Sequence, residues 1–264
     1  MPTDLAKGSR MNTAARHYED LLAEHYTWML GGDIASLVAA QAELLDGLGL
    51  RVSADDGATA VDLGCGPGPQ SLALARLGYT SVTAVDGSAV LLDELVAHAE
   101  QYDVAQAVRP VHRDIRGVLP HCAEPESAAA IVCMGDTLPH LPDRVDVQEL
   151  IADCATALRP GGSFVATYRD LTGELRGTDR FLPVRSSADR ILTCFLDYLD
   201  EDTVLVHDLL HTRRADTWDL KTSSYPKLRL APEWLADQCR AAGLAVRHDG
   251  IGPRGMRILH AGKP

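Results

Sequence analysis

Three glycines at alternate positions, in Val61-Asp62-Leu63-Gly64-Cys65-Gly66-Pro67-Gly68, separate a short apolar run from a stretch of helical character. Glycine at such a turn lets the backbone bend sharply and come close to a ligand. A dinucleotide-binding turn wants Gly-x-Gly-x-x-Gly; here the third glycine comes too early and Gln70-Ser71 follow, so a ligand without a pyrophosphate is favoured. Twenty residues past Gly66, Asp86 closes the apolar run of Thr83-Ala84-Val85-Asp86-Gly87-Ser88, where a carboxylate can accept both hydroxyls of a ribose. Asp114, in His112-Arg113-Asp114-Ile115, can accept from an exocyclic amine such as that of adenine, with Ile115 supplying apolar contact. Glycine turn, ribose acid and adenine acid together point to an adenosine compound.

These residues need a scaffold that delivers them to one edge. Apolar runs predict strands at 58–63, 82–85, 107–112, 128–134 and 163–168, with helices over 70–77, 88–101 and 147–158. That rhythm implies a parallel sheet covered by helices on both faces, which binds ligands at the carboxyl ends of its strands. The last third alternates like antiparallel strands at 191–199, 203–211 and 218–225. A helix then starts at Pro232-Glu233 and ends before Gly243, and short strands follow at 244–247 and 256–260. The expected fold is α/β: a doubly wound, mostly parallel seven-stranded Rossmann-like sheet in a single domain, 1–264. Within it, 1–50 form a helical lid, 58–170 a cofactor-binding core, 171–230 an antiparallel insertion, and 231–264 the final helix and strands.

Composition bounds the partners. Twenty-five Lys and Arg against 37 Asp and Glu leave a formal charge of −12, which argues against a broad grip on nucleic acid phosphates. No apolar run approaches the ~20 residues of a membrane span, and the first residues lack a secretory pattern, so a cytoplasmic protein is expected. The six cysteines contain no Cys-x-x-Cys pair and read as reduced, buried thiols. His207 and His211 flank Asp208, but on a strand they lie roughly 13 Å apart, too far to share one ion, so no metal is expected.

The order of these motifs, with the turn Leu158-Arg159-Pro160-Gly161-Gly162 before the fifth strand, resembles the class I S-adenosylmethionine-dependent methyltransferases, over residues 62–262. A closer resemblance, to glycine N-methyltransferases and their sarcosine-forming relatives, rests on three segments. These are Val132-Cys133-Met134-Gly135-Asp136-Thr137-Leu138-Pro139-His140-Leu141, Thr167-Tyr168-Arg169-Asp170 and Ser223-Ser224-Tyr225-Pro226. The resemblance implies S-adenosylmethionine as cofactor and S-adenosylhomocysteine as product, held by Gly64, Cys65, Gly66, Asp86, Gly87, Ser88, Asp114 and Ile115. It also places Met134, Gly135, His140, Tyr18, Tyr26 and Trp28 against the cofactor, with Arg169 holding a substrate carboxylate and Tyr225 lining the acceptor pocket.

Two positions depart from that pattern: the glycine enzymes carry asparagine where this chain has Asp136 and Asp170. A carboxylate facing the pocket would favour an amine and repel a second carboxylate. The expected reaction is therefore methyl transfer to an amine nitrogen of an amino-acid-like small molecule, with association into a homo-oligomer left open. Methylation of a small hydroxylated metabolite, aminopropyl transfer, and non-catalytic sensing of the cofactor are the alternatives. For a hydroxyl acceptor His140 is the candidate base, because imidazole titrates near neutrality; its other role would be a hydrogen bond to cofactor or backbone.

Overall fold

The computed structural model of the chain describes residue 17 and residues 21–264. The central strands are β1 (Thr59–Leu63), β2 (Ser81–Asp86), β3 (Val108–His112), β4 (Ala128–Cys133) and β5 (Leu158–Tyr168). With β10 (Ala245–Ile251) and β11 (Arg257–Gly262) they form one seven-stranded sheet of order β10-β11-β5-β4-β1-β2-β3. β1 to β5 pair in parallel, while β11 runs antiparallel to both β5 and β10. The strand order reverses between β1 and β4, so the crevice beside their carboxyl ends is where such a sheet accepts a ligand.

Burial follows sheet position. β4 is Ala-Ala-Ala-Ile-Val-Cys and every residue is buried, as expected of a central parallel strand covered on both faces. β3 is the edge: it carries Pro110, which cannot donate to a ladder, and three of its five residues are exposed. Among the described residues the α-helices are α1 (Tyr26–Leu30), α2 (Ile34–Gly47), α3 (Pro69–Arg76), α4 (Ala89–Gln101), α5 (Leu119–Cys122), α6 (Arg144–Ala157) and α7 (Pro232–Ala241). Their starts are chemically marked. Asp33 accepts from the Ala35 N–H, Ser88 from Leu91 and Asp143 from Asp146, each satisfying a donor the first turn leaves open. Residues 159–162 bulge between two paired positions, since Leu158 faces Ala128 and Ser163 faces Ala130.

A second, antiparallel sheet has the order β6-β7-β8-β9, built from β6 (Phe181–Ser186), β7 (Arg190–Tyr198), β8 (Thr203–Arg214) and β9 (Thr217–Leu228). β6 was not expected from the sequence: its Phe-Leu-Pro-Val-Arg-Ser is mostly exposed, and Pro183 breaks the apolar alternation that signals a strand. Along β8, Val204, Val206, Asp208 and Leu210 are buried, so one face of this sheet turns inward. Leu192 and Leu210 of that face pack with Leu21, Leu22, Trp28 and Met29 from the start of the chain. Among the described residues, no helix is long and apolar enough to cross a membrane.

Candidate active site

The glycine turn leaves β1 with Gly64, Gly66 and Gly68 all at positive φ. A Cβ on Gly64 would sit 2.7 Å from Thr137 Oγ1, and one on Gly68 would run into Leu95 of α4. Both positions need glycine twice over, for conformation and for space. The amides of Gly64 and Cys65 donate to the Val85 carbonyl at 2.8 and 3.0 Å, joining the turn to the end of β2.

Asp86 completes this join. Its Oδ2 accepts from the Gly66 N–H and its Oδ1 from the Ser88 N–H, each at 2.8 Å. Burial pushes its carboxyl above the usual range, against the backbone bonds from Ser88 and Gly66 that favour the charged form. A carboxylate has about four acceptor positions, so half remain for the two hydroxyls of a ribose. Gly87 lends its carbonyl to His112 Nε2 at 2.9 Å. Behind the turn, burial lifts Asp62 to about 7 while Ser71 Oγ donates to it at 2.6 Å.

Around this turn the expected cofactor residues divide. A ring carbon of Tyr26 lies 3.4 Å from where a Gly66 Cβ would stand, so Tyr26 covers the turn. Trp28 faces elsewhere, with the guanidinium groups of Arg190 and Arg185 at 4.8 and 5.7 Å from its ring. Tyr18 lies outside the described residues. The Cys65 thiol is buried, and burial pushes it well above its ordinary range, so it is inert packing beside the turn. Asp114 is held by Arg116, whose Nε and Nη2 donate to its Oδ2 at 3.0 and 2.6 Å. Partial burial raises its carboxyl, but the Arg116 bonds and charge outweigh this and leave it below the usual value. Ile115 belongs to the core cluster that includes Val85, Val118 and Leu119.

The second half of the site is the turn after β4. Met134 is buried, and Gly135 and Asp136 follow with φ of +76° and +77°. For Asp136 this left-handed backbone is uncommon and must be held by its neighbours. Gly135 N–H donates to Thr167 Oγ1 at 2.8 Å and Asp136 N–H to the Thr167 carbonyl at 2.9 Å. The Asp136 carboxylate then reaches two other strands. Oδ1 accepts from the Arg169 backbone N–H at 2.8 Å, and Oδ2 is paired with Lys227 Nζ of β9 at 2.5 Å, both side chains being about nine-tenths buried.

This pairing bears on the argument for an amine acceptor. The charge of Asp136 is already compensated by Lys227, and the pair presents no net negative charge to a substrate. The second departure is displaced altogether: Asp170 is exposed and accepts from its own turn, from Thr172 N–H and Oγ1. Arg169 contributes its backbone to Asp136, while its side chain is exposed at the end of β5.

His140 and Tyr225 do come together, with ring centroids 5.4 Å apart. Burial, helped by the charges of Lys227 and His17, holds His140 well below its ordinary value, so the ring is neutral at pH 7 and a weak base. Tyr225 is buried, and burial followed by the Asp208 charge pushes its hydroxyl well above the ordinary range, so it stays protonated.

Sequence reasoning missed two groups here. Lys227 carries no motif. His17 pairs with Asp208 at 2.8 Å in a buried contact, its ring 4.3 Å from that of Tyr225, and the Cys194 thiol donates to the other Asp208 oxygen at 2.6 Å. The alternation of Val204, Val206, Asp208 and Leu210 was the available signal, since it places Asp208 on the inward face. His207 bonds Ser224 Oγ at 2.7 Å instead of serving as a ligand. Among the described residues no group of three or more His, Cys, Asp or Glu is arranged to hold a metal ion.

Residues 60–162 match a family described as "Methyltransferase domain". A ubiquinone biosynthesis O-methyltransferase of Xanthomonas campestris pv. campestris is 37% identical over 142 residues, covering 53% of this chain and 55% of that protein. The match thus spans about half the length of that relative. Among solved structures, an S-adenosylmethionine-dependent methyltransferase from Clostridium acetobutylicum superposes with a TM-score of 0.67 at 14% identity, covering 96% of this chain and 98% of its own. An S-adenosylmethionine-bound amino pentose methyltransferase from Micromonospora echinaspora gives 0.66 at 16% identity, covering 91% and 96%. The Xanthomonas protein is named for methylation at oxygen and the Micromonospora protein for an amino pentose, and none of the three is named for glycine or sarcosine. Residues 60–162 are thus similar to a methyltransferase domain, and the chain has the fold of solved S-adenosylmethionine-dependent methyltransferases.

Proposed function

We propose that the chain transfers the methyl group of S-adenosylmethionine to the oxygen of a small hydroxylated acceptor. The observation that carries this reading is the glycine turn clamped onto Asp86, with half of that carboxylate's acceptor positions still open at the carboxyl ends of β1 and β2. Asp86, Gly87 and Ser88 would hold the ribose, Gly64, Cys65 and Gly66 the backbone-lined approach, and Tyr26, Met134, Gly135 and Ile115 the apolar walls. Asp114 would take the adenine amine by giving up one of the bonds Arg116 makes to its two oxygens.

The cofactor, when bound, supplies an activated methyl on a sulfonium whose leaving group is a neutral thioether needing no proton. The protein's part is alignment of nucleophile and methyl and exclusion of water. His140 and Tyr225 would line the acceptor side as neutral, hydrogen-bonding groups, with Arg169 at its mouth. Oxygen is favoured over nitrogen because Lys227 compensates Asp136, and the relative sharing 37% identity is named an O-methyltransferase. A second reading, an amine acceptor, keeps the support of the amino pentose methyltransferase as a structural neighbour and of the first resemblance to glycine and sarcosine enzymes.

The test is titration of purified protein with S-adenosylmethionine and S-adenosylhomocysteine, followed by mass spectrometry of products from a panel of phenols, catechols, amines and amino acids. Binding plus a product heavier by one methyl is expected. Absence of binding to either adenosyl ligand would overturn the proposal, and methylation confined to amines would replace it by the second reading.

A further inference from the structure

Lys227 is a buried cation whose bonding is incomplete. Its residue is only 8% exposed, its ammonium has three donors, and its one hydrogen bond among the described residues goes to Asp136. The Tyr225 ring, 5.7 Å away, takes part of the remaining charge. An N–H donor kept from water without an acceptor is costly, so such a position is suited to an oxygen supplied by a ligand. The ammonium stands between the turn after β4, which carries Met134 and Gly135, and the inward face of the antiparallel sheet. Around it lie Asp136, His140, Tyr225 and Cys194, with Asp208 and Arg169 beyond.

Resting on the reading of the chain as an O-methyltransferase, we propose that Lys227 holds the acceptor oxygen as an oxyanion, which selects acidic hydroxyls of the phenol or enol class. Asp136 keeps the ammonium in place through Oδ2 while its Oδ1 is anchored to β5, so the remaining donors point from a fixed site. The exposed guanidinium of Arg169 adds a second positive charge at the mouth. The acceptor's hydroxyl proton passes to solvent on binding, its oxygen electron pair forms the C–O bond, and the electron pair of the breaking C–S bond returns to sulfur. This explains how a hydroxyl could react without a strong base: His140 is too weak a base for the task, and a nearby cation favours ionisation of the bound hydroxyl directly, lowering its pKa.

The test uses the full chain with S-adenosylhomocysteine bound and 4-nitrocatechol as a coloured probe. In the wild type the bound probe should ionise at a lower pH than in water, and Lys227→Met should abolish that shift while Lys227→Arg keeps most of it. With S-adenosylmethionine, Lys227→Met should lower kcat/KM on catechols by about 10²–10³-fold, the range for loss of one oxyanion donor. Because Lys227→Met strands the Asp136 carboxylate, the double variant Lys227→Met with Asp136→Asn is measured beside it. If the lysine only neutralises Asp136, the double variant regains activity and the probe shift, and the proposal is wrong. It is equally wrong if wild type and Lys227→Met shift the probe alike, or if wild type shows no shift. Should the wild type bind neither adenosyl ligand, the methyltransferase reading itself fails, an outcome separable from failure of the lysine's role.

Discussion

Replacing Asp86 by alanine should separate ligand binding from folding. The carboxylate accepts two backbone bonds at 2.8 Å, from Gly66 and Ser88, and is proposed to accept two ribose hydroxyls as well. Hydrogen bonds to a charged group contribute about 1.5–3 kcal/mol each, so losing both ribose bonds should cost about 3–6 kcal/mol of binding. At about 1.4 kcal/mol per decade this is roughly 10²–10⁴-fold in affinity for S-adenosylhomocysteine. Folding should change far less. Because burial raises the Asp86 carboxyl, its stabilising contribution is present below the unfolded value of 3.8 and is lost as pH rises through the folded value. At neutral pH the alanine variant therefore sheds an unfavourable buried charge, which offsets much of the two lost backbone bonds of about 1.5–3 kcal/mol each. Calorimetric titration with S-adenosylhomocysteine and thermal unfolding at pH 7.5 should show a large affinity loss with Tm moved by only about 2–4 °C. Affinity within threefold of wild type would show that Asp86 shapes the turn without touching ribose. A collapse of Tm would show that its main role is to hold the turn together.

Asp62 is lifted to about 7 by burial, so its stability contribution is complete below 3.8 and lost as pH rises through about 7. Asp62→Asn should accordingly be stabilised relative to wild type by up to about 4 kcal/mol at pH 8, and by progressively less on acidification, in urea unfolding series. His260, lowered to about 4 by burial and by Arg247 and His248, has the opposite sign. Its contribution is whole above 6.5 and lost as pH falls through about 4, and His260→Gln should flatten that acid limb. Gly64→Ala should lose about 2–4 kcal/mol of stability from the left-handed backbone and the collision with Thr137, together with adenosyl-ligand binding; chemical unfolding and titration read both. His140→Gln should lower kcat/KM by less than the ~10²-fold of a general base and leave the pH profile without an inflection near 6.5; an inflection lost in the variant would restore His140 as the base.

The cofactor half of the site was legible because its signal is local. Gly64, Gly66 and Gly68 are needed by the turn they themselves form, and Asp86 closes the strand next to β1, so spacing along the chain already implies proximity. The acceptor half was legible only in part. Asp136 was recognised at the end of a strand, but its charge could not be assigned, since the partner that compensates it comes 91 residues later. Trp28 was grouped with Tyr26 by closeness in sequence, yet residues two apart on a helix lie on opposite faces, which directs Trp28 to the antiparallel sheet and Tyr26 to the glycine turn. Asp170 was read beside Arg169 as a pocket residue, and the turn after β5 takes its carboxylate for its own amide and hydroxyl.

By itself the sequence determined the layer architecture and the place of the ligand turn. Apolar runs of strand length, alternating with capped helices, can bury their faces in few ways, and a right-handed parallel crossover leaves the loops at one edge. The tertiary structure alone decided which charges face the acceptor. Ion pairing depends on separations of a few ångströms between elements distant in the chain, and no periodicity encodes which lysine of β9 meets which acid after β4. That one contact, Lys227 on Asp136, turns an apparently acidic pocket into a charge-compensated one.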